Sequence, residues 1–340
     1  MSGTSTRRGI LAAATAGATL GIPFLARAQS PIALRVSSAM PADRNAAHFA
    51  WFEHFRTKLQ DVAGPRIRLD YFPNGQLGKE SDVVQQVAIG SVDMMIIGSS
   101  IWATAVPELG MLDLGYLIDS YSHGEKLLDA GLGDAFGKML LERKGVMALG
   151  WGFHFGARCV YTRAPVHNLA DLHAVKLRVL PAPAFIETFK LMGAVPAPIP
   201  FNELYTALQS GVVDGFEHDA ASVIANRLYE VTKQCFMTEH LFSPMLSVIG
   251  RRGLSKIPAD LKPVFLQAAA EATQSQRQDV PPRSAEALEQ LRQLGIAFSP
   301  MPPTERAEIK RQMSEQLYAP FARNYPATKP LFEIAANVSA

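Results

Sequence analysis

The sequence has 340 residues, of which 48% are hydrophobic and 19% charged, enough apolar material for a sizeable core and too little charge for a disordered chain. Lys and Arg total 33 against 31 Asp and Glu, and no dense basic run is interleaved with aromatics, so the electrostatic footprint of a nucleic-acid binder is missing. The length suits two α/β lobes.

Residues 1–28 read as an export signal. Arg7 and Arg8 precede an uncharged stretch over 9–26, and Ala26-Arg27-Ala28 is the small-x-small pattern that signal peptidase accepts. Thr6-Arg7-Arg8-Gly9-Ile10-Leu11 resembles a twin-arginine motif. Cleavage removes Arg7, Arg8 and Arg27 and no acids, leaving 30 basic against 31 acidic groups, a net of −1. The expected address is the periplasm. No later run approaches the ~18–20 apolar residues of a spanning helix.

From residue 31 strand-like and helix-like segments alternate, the pattern of an α/β protein with mainly parallel pairing. The run 32–37 reads as a strand. The run 45–62 reads as an amphipathic helix, with Phe49, Phe52, Phe55 and Leu59 at spacings of three and four. A strand over 67–72, a helix over 81–89 stopped by Gly90, and a buried strand over 92–97 complete a βαβαβ start. An apolar loop over 109–117, a helix over 122–144, and strands over 146–149 and 157–161 follow. The Gly/aromatic break between those strands is a candidate lobe crossing. Then come a strand over 175–180, helices over 183–192, 202–209 and 220–229, and extended runs over 234–238 and 245–250. From Pro258 the pattern is helical, with breaks at Pro281-Pro282 and around 300–303.

Gly131-x-Gly133-x-x-x-Gly137 and Gly150-x-Gly152-x-x-x-Gly156 are each one residue too long for a dinucleotide fingerprint and lack its strand-to-helix context. No cofactor site is expected, and Cys159 and Cys235, with no CxxC or HxxxH, propose no metal. In an oxidising compartment the two cysteines suit either a disulfide or buried free thiols. Asp214, Glu217, His218 and Asp219 suit either acid/base chemistry or a hydrogen-bonded turn. Arg178 stands near the end of the strand over 175–180, before Pro181, where parallel sheets collect ligands and a guanidinium offers a bidentate fork to a carboxylate. Arg158 sits among apolar neighbours that make an unpaired charge costly. Either arginine also suits a structural ion pair.

Val175-Lys176-Leu177-Arg178, then Pro198-Ile199-Pro200-Phe201-Asn202-Glu203-Leu204-Tyr205-Thr206-Ala207-Leu208-Gln209-Ser210-Gly211-Val212-Val213-Asp214-Gly215, closely resembles the signature of the extracytoplasmic solute receptors of TRAP transporters, the dicarboxylate-binding family. Tyr71-Phe72-Pro73-Asn74-Gly75-Gln76-Leu77-Gly78 with Gly90-Ser91-Val92-Asp93-Met94 resembles its N-terminal signature. The resemblance implies a type II periplasmic-binding-protein fold, two α/β lobes with a hinge and long C-terminal helices. Lobe I is expected over 31–155 with about 244–283, and lobe II over 156–243 with about 284–340. The resemblance also implies a two-pronged salt bridge from Arg178 to a ligand carboxylate, help from Arg158, and stacking by Phe201. Where the family usually has Asn-Pro this chain has His218 and Asp219, which departs from the usual ligand contact.

The expected ligand-binding set is Arg178, Arg158, His218, Phe201, Glu217, Asp219, His154 and Ser38, with Trp151 in the core. The expected ligand is an organic acid anion, a sugar acid or small hydroxy acid, passed to the small and large membrane subunits of a TRAP permease by a monomeric, non-enzymatic receptor. The alternative is a secreted enzyme with His218 and Glu217 as acid/base residues.

Overall fold

The computed structural model describes residues 31–339, so the export signal expected over 1–28 lies outside the described residues. The described residues pack as one unit built on two sheets. Its strands are β1 (Ile32–Ser37), β2 (Ile67–Phe72), β3 (Met94–Gly98), β4 (Val146–Phe153), β5 (Arg158–Thr162), β6 (Lys176–Val179), β7 (Val195–Pro198), β8 (Gly215–His218), β9 (Gln234–Leu241), β10 (Pro244–Gly250) and β11 (Ala297–Pro300). The first sheet has the order β2-β1-β3-β10-β4 and the second β11-β9-β5-β8-β6-β7.

Pairing is mixed, not mainly parallel as the alternation suggested. The βαβ starts of both sheets are parallel, β1 with β2 and β3, and β6 with β7 and β8. However, β10 runs antiparallel to β3 and β4, and β5 antiparallel to β8 and β9. The cause is the connectivity: the chain leaves the first sheet after β4 to form β5 and returns after β9 to form β10. These two crossings lie side by side, His154 N donating to Ser243 O at 3.2 Å. At the first, Gly156 has φ +132, a conformation L side chains rarely adopt, and packs 3.3 Å from Ala220 N as judged from an added Cβ.

The helix Ala47–Ala63 buries Trp51, Phe52, Phe55 and Leu59 along one stripe and lies against the helix Lys262–Gln293, Phe55 meeting Phe265 edge-on at 5.1 Å. The Gly/aromatic segment 150–153 is not a break but the end of β4, and its glycines serve this same long helix. A Cβ on Gly150 would stand 1.8 Å from Thr273 Oγ1, and one on Gly152 2.2 Å from Gln276 Oε1. Close approach lets Gln276 bond both ways to the Phe153 backbone, Nε2 to O at 2.6 Å and Phe153 N to Oε1 at 3.2 Å. Gly152→Ala is expected to cost about 2–3 kcal/mol by overpacking, measurable by urea unfolding; an unchanged midpoint would mean that strand and helix have slack here.

The long helix also runs unbroken through Pro281 and Pro282, against the expected break. Two prolines remove two backbone donors, but both flanks are fastened. Arg277 Nε donates to Trp151 O at 2.8 Å, and Arg283 bonds Asp279 and the Arg44 carbonyl. The helix expected over 220–229 is shorter, Ala220–Ala225. Among the described residues no helix is long and apolar enough to cross a membrane.

Candidate functional site

The loops at the C-terminal ends of β1, β3, β6 and β8 meet between the sheets, where parallel strands leave backbone donors and space for a ligand. They enclose a cavity lined by Met40, His48, Glu80, Gly98, Ser100 and Ile101 from the first half and by Arg158, Leu180, Phe201 and His218 from the second, with His154 and Ser243 from the crossings.

Arg178 lies fully buried on β6, in register with Ala197 of β7 and Phe216 of β8. Its Nε donates to Ile199 O at 2.8 Å, while Nη1 and Nη2 have no partner. Burial pulls its pKa down to about 10, Glu217 and Glu80 pulling the other way and Arg158 adding to the depression. It remains a cation at neutral pH, its two terminal nitrogens unpartnered, but it is not among the residues lining the cavity, whereas Arg158 is. The Phe201 ring lies 5.7 Å from its Cζ and 5.3 Å from the His218 ring, so Phe201 forms a flat wall between the clamp and the imidazole.

The other arginine is committed. Arg158 Nε and Nη2 bind Glu217 Oε2 and Oε1 at 2.5 and 2.8 Å, and Nη2 also meets Glu217 O at 3.2 Å. Both side chains are buried, with Phe185 5.2 Å from Arg158 Cζ and His240 3.5 Å from Glu217 Oε2. Burial alone would raise the Glu217 pKa, but Arg158 and His240 hold it down at about 2. Glu217 is therefore the structural partner of Arg158 and no hydroxyl acceptor for a ligand, and it does not line the cavity. Glu217 and His218 do not meet as an acid/base pair: side chains of adjacent strand residues point to opposite faces, so Glu217 turns to Arg158 while His218 lines the cavity.

Asp219 is likewise structural. It caps the helix Ala220–Ala225, accepting from Ser222 N at 2.9 Å and Ser222 Oγ at 2.7 Å, and holds His218 Nδ1 at 2.8 Å. Burial opposes its charge, but His218, His154 and Ser222 N hold its pKa below the ordinary carboxylate range. His218 Nδ1 also accepts from Asp219 N at 3.0 Å, so this one ring nitrogen faces both a carboxylate oxygen and a backbone N–H.

Ser38 supports rather than lines the site. Its Oγ accepts from Met40 N at 3.0 Å and meets His48 Nδ1 at 2.9 Å, while His48 Nε2 has no partner. His48, His154 and His218 form a ladder across the cleft, centroids 5.2 and 6.1 Å apart. Burial lowers the pKa of all three, His154 to about 4, so the ladder is neutral.

The sequence reading missed His48, Glu80, Ser100 and Ser243. Ser100 carries a signal, since it follows the buried run of β3 at a parallel strand's C-terminal end. His48 sits on the buried stripe of its helix, where it is indistinguishable from a core residue. Trp151 is 8% exposed beside Phe136, in the core. Cys159 and Cys235 are both free and buried on the paired strands β5 and β9. A larger groove of about 340 Å³ lies between 103–114, 182–187 and 316–325, but its carboxyl side chains are Asp113 and Glu187 and it has no cationic side chain.

The site thus sets one buried guanidinium with two unpartnered nitrogens beside neutral imidazoles. The profile of bacterial extracellular solute-binding proteins, family 7, matches residues 37–324. The chain belongs to this family. As a family 7 solute-binding protein it is similar to the 2,3-diketo-L-gulonate-binding periplasmic protein YiaO of Escherichia coli, 28% identical over 84% of this chain and 86% of the relative. A solute-binding protein of Roseobacter denitrificans is 32% identical over 69% of this chain and 71% of its own length. Among solved structures, a TRAP periplasmic solute-binding protein of a Polaromonas species bound to D-erythronate superposes with TM-score 0.83 at 26% identity, covering 91% of this chain and 99% of that one. The sugar acid binding protein of Advenella mimigardefordensis, in complex with galactonate, superposes with TM-score 0.85 at 24% identity over 91% and 99%. The fold is thus the two-lobe periplasmic-binding-protein fold of the TRAP solute receptors.

Proposed function

We propose that this family 7 protein is the periplasmic receptor of a TRAP transporter, capturing a sugar acid or small hydroxy acid and delivering it to the small and large membrane subunits of the permease. The observation that carries the reading is Arg178, whose Nη1 and Nη2 are buried without a partner. An unpaired guanidinium in low dielectric is costly, and a ligand carboxylate offers it two parallel charge-assisted bonds. A neutral ligand leaves that cost uncompensated and is rejected. The His48–His154–His218 ladder, Ser100 and Ser243 then supply donors and acceptors for hydroxyls. The ligands named for YiaO and for the Polaromonas and Advenella proteins support the same class.

Residues 1–28 serve as the export signal in this reading, and the mature chain acts as a monomer without catalysis. Lobe I comprises 31–155 with about 244–283 and lobe II 156–243 with about 284–340, closing about the crossings next to His154 and Ser243. Free space in the cavity is only about 20 Å³, little more than one water occupies, so a sugar acid enters by the lobes parting. Capture then follows as hinge closure.

A thermal-shift screen of the mature chain tests the proposal, because a ligand that binds only the native state raises the melting temperature by mass action. Uronates, aldonates and small hydroxy acids are expected to shift it by several degrees. Silence across them, with a shift for aromatic acids alone, would overturn the ligand class. His218→Asn is expected to reorder the preferred acids by about tenfold while keeping acid binding, since it changes an acceptor and not the clamp; an unchanged ranking would remove His218 from selectivity.

A further inference from the structure

Two ion pairs beside the cavity each reach from one half of the molecule to the other. Met40 and Glu80 of the first half and Phe201 of the second line the cavity. Lys79, next to Glu80 in the chain, places Nζ 2.8 Å from Oε1 of Glu203, two residues past Phe201. Arg44, in the loop that carries Met40, donates from Nη2 to both Glu286 carboxylate oxygens at 3.0 Å, and its backbone O accepts from Arg283 Nη1.

The near ends belong to the first sheet, since Arg44 follows β1 and Lys79 follows β2. The far ends belong to the second. Glu203 lies between β7 and β8. Glu286 lies on the long helix past its two prolines, where that helix has reached Ala220–Ala225: a Cβ on Gly156 would stand 3.3 Å from Ala220 N and 3.6 Å from Ser284 Oγ. Between the halves an open groove of about 220 Å³ has Ala39 and Asn74 on one side and Phe201, Asn202 and Tyr205 on the other, so Phe201 borders both the cavity and this groove. By comparison, Arg56 with Glu53 and Arg311 with Glu308 close within single helices and do not depend on where the halves stand.

We propose that Lys79–Glu203 and Arg44–Glu286 are closure clasps: they form as the two halves meet over the ligand, and they set how long a captured acid is held. The inference rests on the receptor reading above and its hinge closure. Contacts that exist only in the closed form must break before the ligand leaves, so their loss appears in the dissociation rate. All four side chains are about half exposed or more, a setting in which an ion pair is weak and screened by salt. Each clasp is therefore expected to slow release by about 1.5- to 5-fold. A bond from the buried Arg178 to a ligand carboxylate is screened much less, so salt separates the clasps from the clamp.

The test measures association and dissociation rates by stopped flow, on the mature chain with D-erythronate, L-gulonate and D-glucuronate, in about 50 mM and about 1 M sodium chloride. Lys79→Gln and Glu203→Gln are each expected to speed release of the best acid by the same factor, and the double variant by no more than either single one. Arg44→Gln and Glu286→Gln are expected to form a second such cycle, and Lys79→Gln with Arg44→Gln to multiply the two effects. Steering of an anion behaves differently: losing a lysine slows association and losing a glutamate speeds it, so rates of association do not imitate the clasp. High salt is expected to speed release from wild type and to leave the Lys79→Gln, Arg44→Gln variant unchanged. Ligand-free melting temperatures are expected to stay at the wild-type value, because the open form lacks both pairs. Unchanged release in the single variants, effects of two partners that add in the double variant, or a ligand-free melting temperature that falls equally for both partners overturns the inference and leaves the receptor reading standing. Wild-type release that ignores salt overturns it without any variant. Failure of wild type to bind any of the three acids overturns the receptor reading and this inference together.

Discussion

Arg178→Ala is expected to weaken binding of the best acid by about 30- to 5,000-fold, the equivalent of about 2–5 kcal/mol for truncating one partner of a buried charge pair. The same change is not expected to lower the melting temperature of the ligand-free protein. The reason is the environment of the guanidinium: only Nε has a partner, Ile199 O, and Nη1 and Nη2 are buried without one. Holding that charge ready costs stability, which the ligand offsets. Alanine also opens a space, so Arg178→Met, which keeps most of the volume, separates charge from packing. Calorimetric titration and thermal melting of both variants check this. Near wild-type affinity in the methionine variant would remove the clamp, and a large fall in its ligand-free melting temperature would show that Arg178 is structural.

Glu217→Ala should do the opposite, destabilising the ligand-free protein by about 3–5 kcal/mol, the usual cost of leaving one member of a buried pair alone, or on the order of 5–10 °C in melting temperature. Arg158 would lose both carboxylate bonds and have only the backbone oxygen at 3.2 Å. The pH dependence follows the same pair. Glu217 has its folded pKa at about 2, below its ordinary 4.5, so its contribution is fully present above about pH 4.5 and fades as the pH falls toward 2. With about 1.4 kcal/mol per unit that amounts to about 3 kcal/mol. Wild type should therefore lose more stability than Glu217→Ala on acidification through this window; parallel acid curves would refute the pair's structural role. Freed from Glu217, Arg158 should also admit a second ligand carboxylate, a gain of dicarboxylate binding.

These two arginines mark where reading the chain alone stopped. In sequence they look alike, each on a strand among apolar neighbours, and each suits a ligand clamp or a structural pair. The register of β5 against β8, which sets Cys159 opposite His218 and Val160 opposite Glu217, brings the carboxylate to Arg158 and leaves Arg178 without one. Glu217 and Asp219 sat beside His218 in the candidate set for the same reason: adjacency along the chain does not say which face each side chain takes or which partner it meets. The glycines of 150–152 look like a break until Thr273 and Gln276, over a hundred positions later, turn out to need their missing side chains.

From the sequence alone came the α/β alternation, the strand and helix positions through most of the chain, the family signature and the candidacy of Arg178, Phe201 and His218. Those are local properties: periodicity records which face is buried, and a motif records a strand end, a turn and a helix start within a few residues. Tertiary structure decided which guanidinium is free, which carboxylates are spent, and that His48 and Glu80 from the first half face His218 from the second. Charge state and hydrogen-bond availability depend on distances between groups far apart in the chain, and only the packed fold sets those distances.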